Sequence, residues 1–371
     1  MVAIAILGSD PITFFLITHL THHSRSPQHQ PENINKILFV GQPNDDDYGF
    51  GKVKHVKVKT FDDYEIAVPR EQINYTTDLK ELVEFNPDYI FVTLKGNQVI
   101  EILQEIAELD GKTVVVTFNG YHNSELVHVA LPNTKIIDGM IVQYVYHLSD
   151  CQFVQETEGC IYLQSIPDAL PIQQIFQQSQ LTVRTCSNIK SFMYGRLIMN
   201  LAGAIVALSG LSFTQFIKNK NWRKILASSM WEAFEVFKHH NIVPLVSMDR
   251  IPSFLHTSLP LHLLPYLLLS PNWVLNPVVM SLLKNDPISL SSMSKDFKCG
   301  RRTGIEELQG EIVKLATVNG SIKTAYNSGV YGLVKLVEKS MMDKKDGWKV
   351  AFTNEEVIGY IEHGTVPACL L

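Results

Sequence analysis

Short apolar runs alternate with helix-like segments through the first third of this chain, and that alternation restricts the fold more than any other feature. Continuously apolar runs predict strands at Val2–Leu7, 36–40, 89–94, 113–118 and 135–137. Helical periodicity predicts helices at 11–22, Leu79–Phe85, 98–109 and 124–131. Strands that alternate with helices and are apolar on both faces form a parallel sheet covered by helices. The sequence therefore predicts an α/β domain built on a parallel sheet.

Two other stretches predict antiparallel strands. His55–Lys59 and residues 64–68 flank a polar turn and predict a hairpin. Between residues 140 and 164 apolar and polar residues alternate, which predicts added antiparallel strands. From Ser187 to about Ser340 the pattern is almost wholly helical. We therefore place a domain boundary near Ser187, with an α/β domain at 1–187 and a helical domain at 188–371.

Length and charge exclude several classes of protein. A chain of 371 residues exceeds one ordinary hydrophobic core, which favours two domains. With 32 Lys and Arg against 37 Asp and Glu, and a hydrophobic share of 46%, the chain is neither disordered, collagen-like nor a polybasic nucleic-acid-binding protein. Five cysteines, odd in number and without a CxxC pair, predict neither a disulfide framework nor a zinc site. We expect a reducing, cytoplasmic location.

Residues 251–283 contain no Lys, Arg, Asp or Glu. A run of about 20 apolar residues can cross a bilayer. Here, however, prolines recur every five to eight residues and interrupt any spanning helix. We predict short buried helices rather than a membrane element, which form an apolar pocket wall or the contact of a homodimer.

The turn after the first strand, Gly8-Ser9-Asp10, stands where dinucleotide phosphates dock on the free N–H groups of a helix N-terminus. The G-x-G-x-x-G fingerprint keeps one glycine of three; Asp10 brings a carboxylate towards the pyrophosphate, and Pro11 removes a donor. Asp10 also suits the N-cap of a helix that begins at Pro11. The turn alone supports cofactor binding and a purely structural cap equally. Aspartates at 45–47, with no Lys or Arg, give no support for NADP over NAD.

His19, His22 and His23 are spaced as i, i+3 and i+4 on the first predicted helix. That spacing can bring imidazoles together for a metal ion. A polar helix end that gains from cations near its C-terminus explains the same residues, and we prefer this interpretation. No G-x-S-x-G or H-E-x-x-H motif is present, so a hydrolase or zinc peptidase has no support, and we predict no metal site.

Six blocks keep a common order and spacing along almost the whole chain. They are FVTLKGNQV at 91–99, FNG at 118–120, RLIMN at 196–200, SSMSKD at 291–296, RTGIE at 302–306 and LQG at 308–310. Together these blocks resemble the ketopantoate reductase (2-dehydropantoate 2-reductase) family, and the stretch from 291 to 310 is the most specific of them.

The resemblance implies a Rossmann-type dinucleotide-binding domain followed by an all-helical substrate domain, the 6-phosphogluconate-dehydrogenase-like arrangement. It implies NADPH reducing a 2-oxo acid, as in pantothenate biosynthesis. If the first turn binds a dinucleotide, its cofactor contacts are Gly8, Ser9 and Asp10. The resemblance implies further roles: cofactor contacts at Lys95, Asn119 and Gly120, substrate contacts at Asn200 and Ser292, and a supporting role for Asp296 among the substrate-binding residues. It also matches Asn327 to a Pro-x-Asn element whose proline is Ala325.

The departures from the family pattern fall on the chemistry. Arg196 stands where the family has a lysine that gives the proton, and a guanidinium with a pKa above about 12 is a poor donor at neutral pH. Gly304 replaces a glutamate, and Ala204 and Ser289 replace asparagines. Arg196 would then anchor or polarise the substrate, with Lys95 or water supplying the proton. The competing hypothesis is a catalytically lapsed homologue that binds a ligand or a partner.

Overall fold

The structure is a computed structural model that describes residues 2–25, 34–42, 48–94, 99, 102, 106, 111–118, 120–245, 261–275, 292–318, 322–344 and 347–371. The chain divides into two compact units, Met1–Ile189 and Lys190–Leu371. The predicted boundary lies at 187 and the observed one at 189. The predicted helix at 98–109 lies mostly outside the described residues, as do Lys95, Asn119 and the aspartates at 45–47.

The described part of the first unit contains strands that agree with most of the predicted ones. They are β1 (Val2–Leu7), β2 (Ile34–Val40), β3 (His55–Lys59), β4 (Glu65–Pro69), β5 (Tyr75–Thr76), β6 (Tyr89–Val92), β7 (Thr113–Thr117), β8 (Lys135–Val142), β9 (Val145–Ser149), β10 (Gln152–Gln155), β11 (Cys160–Gln164) and β12 (Val183–Cys186). The short strand β5 and the edge strand β12 were not predicted, and β8 runs five residues beyond the predicted end at 137.

Eight strands form the main sheet, in the order β12-β11-β8-β7-β6-β1-β2-β5. Neighbours from β5 to β8 are parallel, whereas β11 runs antiparallel to β8. The predicted parallel α/β sheet is confirmed. The chain winds outward in one direction through β2 and β5 and in the other through β6, β7 and β8. The topological switch point, where ligands bind in such sheets, therefore lies at the carboxyl ends of β1 and β6.

The remaining four strands form a second sheet, in the order β4-β3-β10-β9. The predicted hairpin is confirmed as the antiparallel pair β3 and β4, and β9 pairs antiparallel with β10 as expected. This sheet packs on helix α1 (Pro11–Arg25), which also packs on β1 and β2. The Phe14 ring lies 4.8 Å from Phe153 of the second sheet and 5.2 Å from Phe39 of the main sheet, centroid to centroid. Because α1 is buried between the two sheets, apolar side chains are favoured on most of its surface.

Helices cover the main sheet and build nearly all of the second unit. In the first unit, the helices with described bounds are α1, α2 (Leu79–Phe85), α3 (Tyr121–Ala130) and α4 (Leu170–Gln178). The described helices that follow are α5 (Ile189–Asn200), α6 (Ala202–Ser209), α7 (Phe213–Lys218), α8 (Lys220–His239), α9 (Leu264–Leu269), α10 (Ser292–Lys298), α11 (Gln309–Thr317), α12 (Ala325–Lys344) and α13 (Asn354–His363). The predicted all-helical second domain is confirmed.

Within the described ranges, one helical stretch, Ile189–Ser209, is long and apolar enough to cross a membrane. It comprises α5 and α6, and 78% of its most apolar window is buried inside the protein. Helices in protein cores have the same length and composition, and this stretch contributes Leu197, Ile205 and Leu208 to the core.

The charge-free stretch is described only at 261–275, where it forms a short turn and helix α9. Arg223 of α8, fully buried, holds it: the guanidinium donates to the carbonyls of Leu268 (2.7 Å) and Ser270 (3.1 Å) and to the side chain of Asn272 (2.6 Å). Burial lowers the pKa of Arg223. Leu268 is buried within the chain, whereas Tyr266 and Trp273 are 62% and 79% exposed. A pocket wall or a homodimer contact at this stretch stays a prediction.

Candidate functional site

Gly8 lies at the switch point, in the turn that joins β1 to α1. Its backbone N–H donates to the carbonyl of Val40 at the end of β2 (3.1 Å). A Cβ atom at this position would collide with the hydroxyl oxygens of Thr13 and Thr93. A residue without a side chain is therefore required for α1 and β6 to approach β1 this closely.

Asp10 caps the N-terminus of α1, as the sequence predicts. Its Oδ1 accepts from the backbone N–H of Thr13 (2.9 Å) and from the Thr13 hydroxyl (2.6 Å). The Thr13 hydroxyl lies 2.7 Å from that of Thr93, which can donate to the Leu7 carbonyl at 3.0 Å. Because the Thr13 proton goes to Asp10, the Thr93 hydroxyl donates its one proton either to Thr13 or to the Leu7 carbonyl. The cap therefore lies against the residue that follows β6.

Gly120 lies at the same edge of the sheet, after β7, where it forms the N-cap position of α3 with extended backbone. Thr117, the last residue of β7, donates its hydroxyl to the carbonyl of Val92 at the end of β6 (2.9 Å). Because β1, β6 and β7 are parallel neighbours, the structure brings Gly8, Ser9, Asp10 and Gly120 to one edge. Lys95 and Asn119, predicted for the same edge, lie outside the described residues.

The position of this edge at the switch point and its glycine turn favour binding of a dinucleotide. The residues at the N-terminus of α1 disfavour binding of its pyrophosphate. Pro11 has no N–H, the N–H of Thr13 is bonded to Asp10, and the N–H of Phe14 donates to the Asp10 carbonyl (3.3 Å). A bound dinucleotide would be held by the Gly8 turn and the loop at Gly120, with Asp10 against its phosphates.

In the second unit, Arg196 and Asn200 lie four residues apart on α5 and so share one face of the helix. Both are half-buried. The adjacent Gly195 contacts the backbone of Leu245, where a Cβ atom would collide, and the N–H of Leu245 donates to the Ser191 carbonyl (2.9 Å). The backbone at Leu245 therefore packs directly against the segment of α5 that precedes Arg196.

Helix α5 ends at Asn200, and α6 begins at Ala202 after a break at Leu201. The buried Gln309 donates its side-chain N–H to the Leu201 carbonyl across this break (2.9 Å). The resemblance marked Gln309 only as part of the LQG block. The structure gives it a role in fixing the end of the helix that carries Arg196 and Asn200.

Ser292 and Asp296 also lie four residues apart, on α10. Met293 and Phe297 bury the other face of this helix, which packs on α6 and α12. Asp296 contacts Arg301 through its carboxylate (3.5 Å), and its carbonyl accepts from the Arg301 N–H (2.9 Å). The four predicted residues of the second unit thus lie on two elements that meet at α6.

Gly304 lies in a loop anchored on both sides. Before it, Thr303 donates its N–H and its hydroxyl to the buried Glu338 (2.7 Å each). After it, Glu306 accepts from Tyr331 (2.7 Å) and pairs with Lys335 (3.3 Å). Burial raises the pKa of Glu306, but these bonds and nearby lysine charges outweigh it and lower the pKa overall. Apart from its two chain neighbours, no described residue has an atom within 4 Å of a Cβ built on Gly304, so a larger side chain has room beside them.

The structure shows two polar clusters of which the sequence analysis named only Asn327. Asp138, buried on β8, accepts from Ser124 of α3 and lies 3.2 Å from His128 Nε2. Asn327 of α12 is fully engaged by α8: its Oδ1 accepts from the Ser229 hydroxyl (2.6 Å), and its Nδ2 donates to Glu232 (2.9 Å). The signal for the first cluster was the i, i+4 spacing of Ser124 and His128. Both clusters join elements rather than line the candidate sites.

His19 contradicts the prediction of a cationic, polar helix end. The residue is 4% exposed, and burial lowers its pKa to about 4, against a smaller opposing effect of the Ser179 backbone. His23 is buried as well. His19 is therefore neutral at pH 7. Among the residues that the structure describes, no group of three or more His, Cys, Asp or Glu side chains could hold a metal ion.

Together, the switch point at Gly8 and the helical second unit define the class of two-domain proteins with a Rossmann-type domain followed by a helical one. Two family models match the chain: "Ketopantoate reductase PanE/ApbA" at residues 52–168 and "Ketopantoate reductase PanE/ApbA C terminal" at residues 188–338. The chain belongs to the ketopantoate reductase family. The match begins at residue 52, after the turn that carries Gly8 and Asp10. No curated protein matches the chain.

Solved structures share the fold at low sequence identity. A PanE/ApbA family ketopantoate reductase from Ralstonia eutropha JMP134 has a TM-score of 0.70 at 15% identity, covering 92% of this chain and 99% of its own. D-mandelate dehydrogenase, in a ternary structure with NADH and anilino(oxo)acetate, has 0.69 at 18% identity, with coverage of 92% and 99%. A dimeric ketopantoate reductase from Staphylococcus aureus has 0.61 at 12% identity, with coverage of 91% and 99%.

Proposed function

We propose that the chain is an NAD(P)H-dependent oxidoreductase that reduces a 2-oxo acid to the 2-hydroxy acid, with NADP the expected cofactor and NAD the alternative. The first substrate to test is 2-dehydropantoate. The match of residues 188–338 to the C-terminal family model carries the proposal, because that segment contains all four candidate substrate residues: Arg196, Asn200, Ser292 and Asp296.

Reduction of a ketone requires a hydride and a proton, and bound NAD(P)H supplies the hydride. Arg196 suits the substrate carboxylate, because its planar guanidinium can donate two parallel hydrogen bonds to two carboxylate oxygens. Asn200, one turn further along the same face of α5, can donate to a substrate oxygen. The guanidinium does not release a proton at neutral pH, so water or Lys95 supplies the proton.

Two observations support a second candidate, a lapsed homologue that binds a ligand or partner without catalysis. Asp10 caps the helix end that a pyrophosphate requires. Gly304 leaves open the space where the family has a glutamate. Asp10 concerns binding of the cofactor and Gly304 concerns binding of the substrate. The two changes therefore weaken the reductase proposal independently.

The test is a titration of the purified chain with NADPH and with NADH, followed by assays of cofactor oxidation on a panel of 2-oxo acids. The proposal predicts saturable binding of at least one nucleotide and turnover of at least one acid. Absence of saturable binding at millimolar nucleotide would contradict it. Binding without turnover on any acid would favour the lapsed homologue.

The proposal extends to a homodimer in the cytoplasm. Its support is the dimeric Staphylococcus aureus relative and the cysteine pattern, respectively. Sedimentation velocity of the purified chain measures the first, and imaging of a tagged chain in cells measures the second.

A further inference from the structure

The first turn of α1 is capped by a side chain of the protein itself, that of Asp10. The Asp10 carboxylate lies where the helix offers N–H groups and the positive end of its dipole, and it accepts two bonds from Thr13 (2.9 and 2.6 Å). A dinucleotide pyrophosphate would need the same place. We propose that Asp10 is an affinity-determining residue, whose carboxylate competes with the pyrophosphate for this helix end. The inference rests on the proposed function, since it requires a dinucleotide ligand.

The carboxylate is held by the fold and not only by its own helix. Thr13 lies within 2.7 Å of the hydroxyl of Thr93, in the loop after β6, and Thr93 reaches the last carbonyl of β1. Gly8 leaves the space in which these two hydroxyls meet. Because the Asp10–Thr13 pair lies against Thr93, a ligand must displace the carboxylate or accept its charge close by.

The charge sets the size of the effect. Two negative groups about 5 Å apart near a protein surface repel strongly enough to weaken binding by at least about tenfold, and salt reduces that repulsion. The pyrophosphate is common to NADPH and NADH. Removal of the charge therefore strengthens binding of both nucleotides by the same factor.

The experiment measures Kd for NADPH and NADH by titration calorimetry on the full chain and on Asp10→Asn, which keeps a capping oxygen without the charge. A second neutral cap, Asp10→Ser, guards against a folding defect in the first. Both variants should lower Kd for both nucleotides at least about tenfold at low salt, with a smaller gain at about 0.5 M NaCl. The control is Asp88→Asn, whose carboxylate accepts from the Ala3 N–H (2.8 Å) at the opposite edge of the sheet. It removes the same charge and should leave Kd unchanged.

The outcomes separate the inference from the proposed function. Equal Kd values for the original chain and the Asp10 variants would overturn the inference and leave the proposed function standing. A gain for NADPH alone would also overturn it, because the effect would then concern the 2′-phosphate. If no folded chain binds either nucleotide at millimolar concentration, the proposed function fails and the inference with it.

Discussion

Arg196 and Gly304 are the two residues at which the resemblance to the family predicts the largest change in chemistry. Arg196 keeps a positive charge beside Asn200 on α5 but gives up the ability to release a proton. Apart from the two chain neighbours of Gly304, no atom of the described residues lies within 4 Å of a Cβ built on it. A larger side chain, such as that of glutamate, therefore has room at position 304 beside the described residues.

The double variant Arg196→Lys, Gly304→Glu should raise the rate of ketopantoate reduction by at least about tenfold, because a lysine can donate the proton and general acids contribute about 10²–10⁴. The rate is measured from NADPH oxidation. The matched control, Arg196→Lys with Gly304→Gln, has the same shape without the carboxylate and should gain less. An unchanged rate in a folded double variant that binds NADPH would contradict these residue assignments.

His19 makes the stability of the first unit dependent on pH. Its folded pKa of about 4 lies below the unfolded value of 6.5, so the unfolded chain binds a proton that the folded chain does not. Stability is full above about pH 6.5 and falls as the pH drops, by about 3 kcal/mol when pH 4 is reached. Urea unfolding of the chain and of His19→Phe from pH 7.5 to 4.5 measures this. The variant should lose less stability than the original chain, whereas the exposed control His363→Gln should lose the same amount.

At the scale of elements, α8 and α12 are joined by polar contacts as well as by apolar packing. Glu232 of α8 accepts from the N–H groups of Tyr326 and Asn327 at the start of α12 (2.9 Å each). The Asn327 side chain returns bonds to Ser229 and Glu232. The start of α12 therefore obtains from α8 the acceptor that a capping side chain usually provides.

Replacement of Asn327 by Ala should lower the free energy of unfolding by about 2–4 kcal/mol, because buried groups on Ser229 and Glu232 lose their partner. Chemical denaturation followed by far-UV circular dichroism measures it. Asn354→Ala, which removes a half-buried asparagine at the start of α13 whose side chain donates to the neighbouring Glu355, is the control and should change stability by less than about 0.5 kcal/mol. A loss below that limit for Asn327→Ala would show that the contact contributes no net stability.

At the scale of the whole molecule, the two units have separate cores and separate reporters. The main hydrophobic cluster of the first unit, which includes Phe14, Phe39 and Phe153, contains only residues of that unit. All four tryptophans lie in the second unit, at positions 222, 231, 273 and 348. Tryptophan fluorescence therefore reports the second unit, while circular dichroism reports both.

Unfolding at pH 5 should give separate transitions by the two methods, because His19 destabilises only the first unit by about 2 kcal/mol there. The dichroism transition should start at lower urea than the fluorescence transition, and the separation should shrink at pH 7.5. Coincident curves at both pH values would mean that the units unfold as one.

The period of apolar residues, together with the turn and capping residues between the periodic segments, was enough to predict much of the fold. The bounds of β1 and α2 agree with the predicted residues, and Asp10 and Pro11 start α1 where expected. These features depend on neighbours in the chain, whose spacing decides which face of a helix or strand is apolar. The family likewise follows from motifs whose order the sequence preserves.

Only the tertiary structure decided which distant segments meet. It paired β3 with β10 in a second sheet, set Thr93 against Thr13, which lies 80 residues earlier, and buried His19. Periodicity contains no information on such partners, because the burial of a side chain depends on the surfaces that pack over it. The sequence by itself therefore determined the α/β class and the family. The three-dimensional contacts decided that Thr93 lies against the Asp10–Thr13 cap and that His19 is buried.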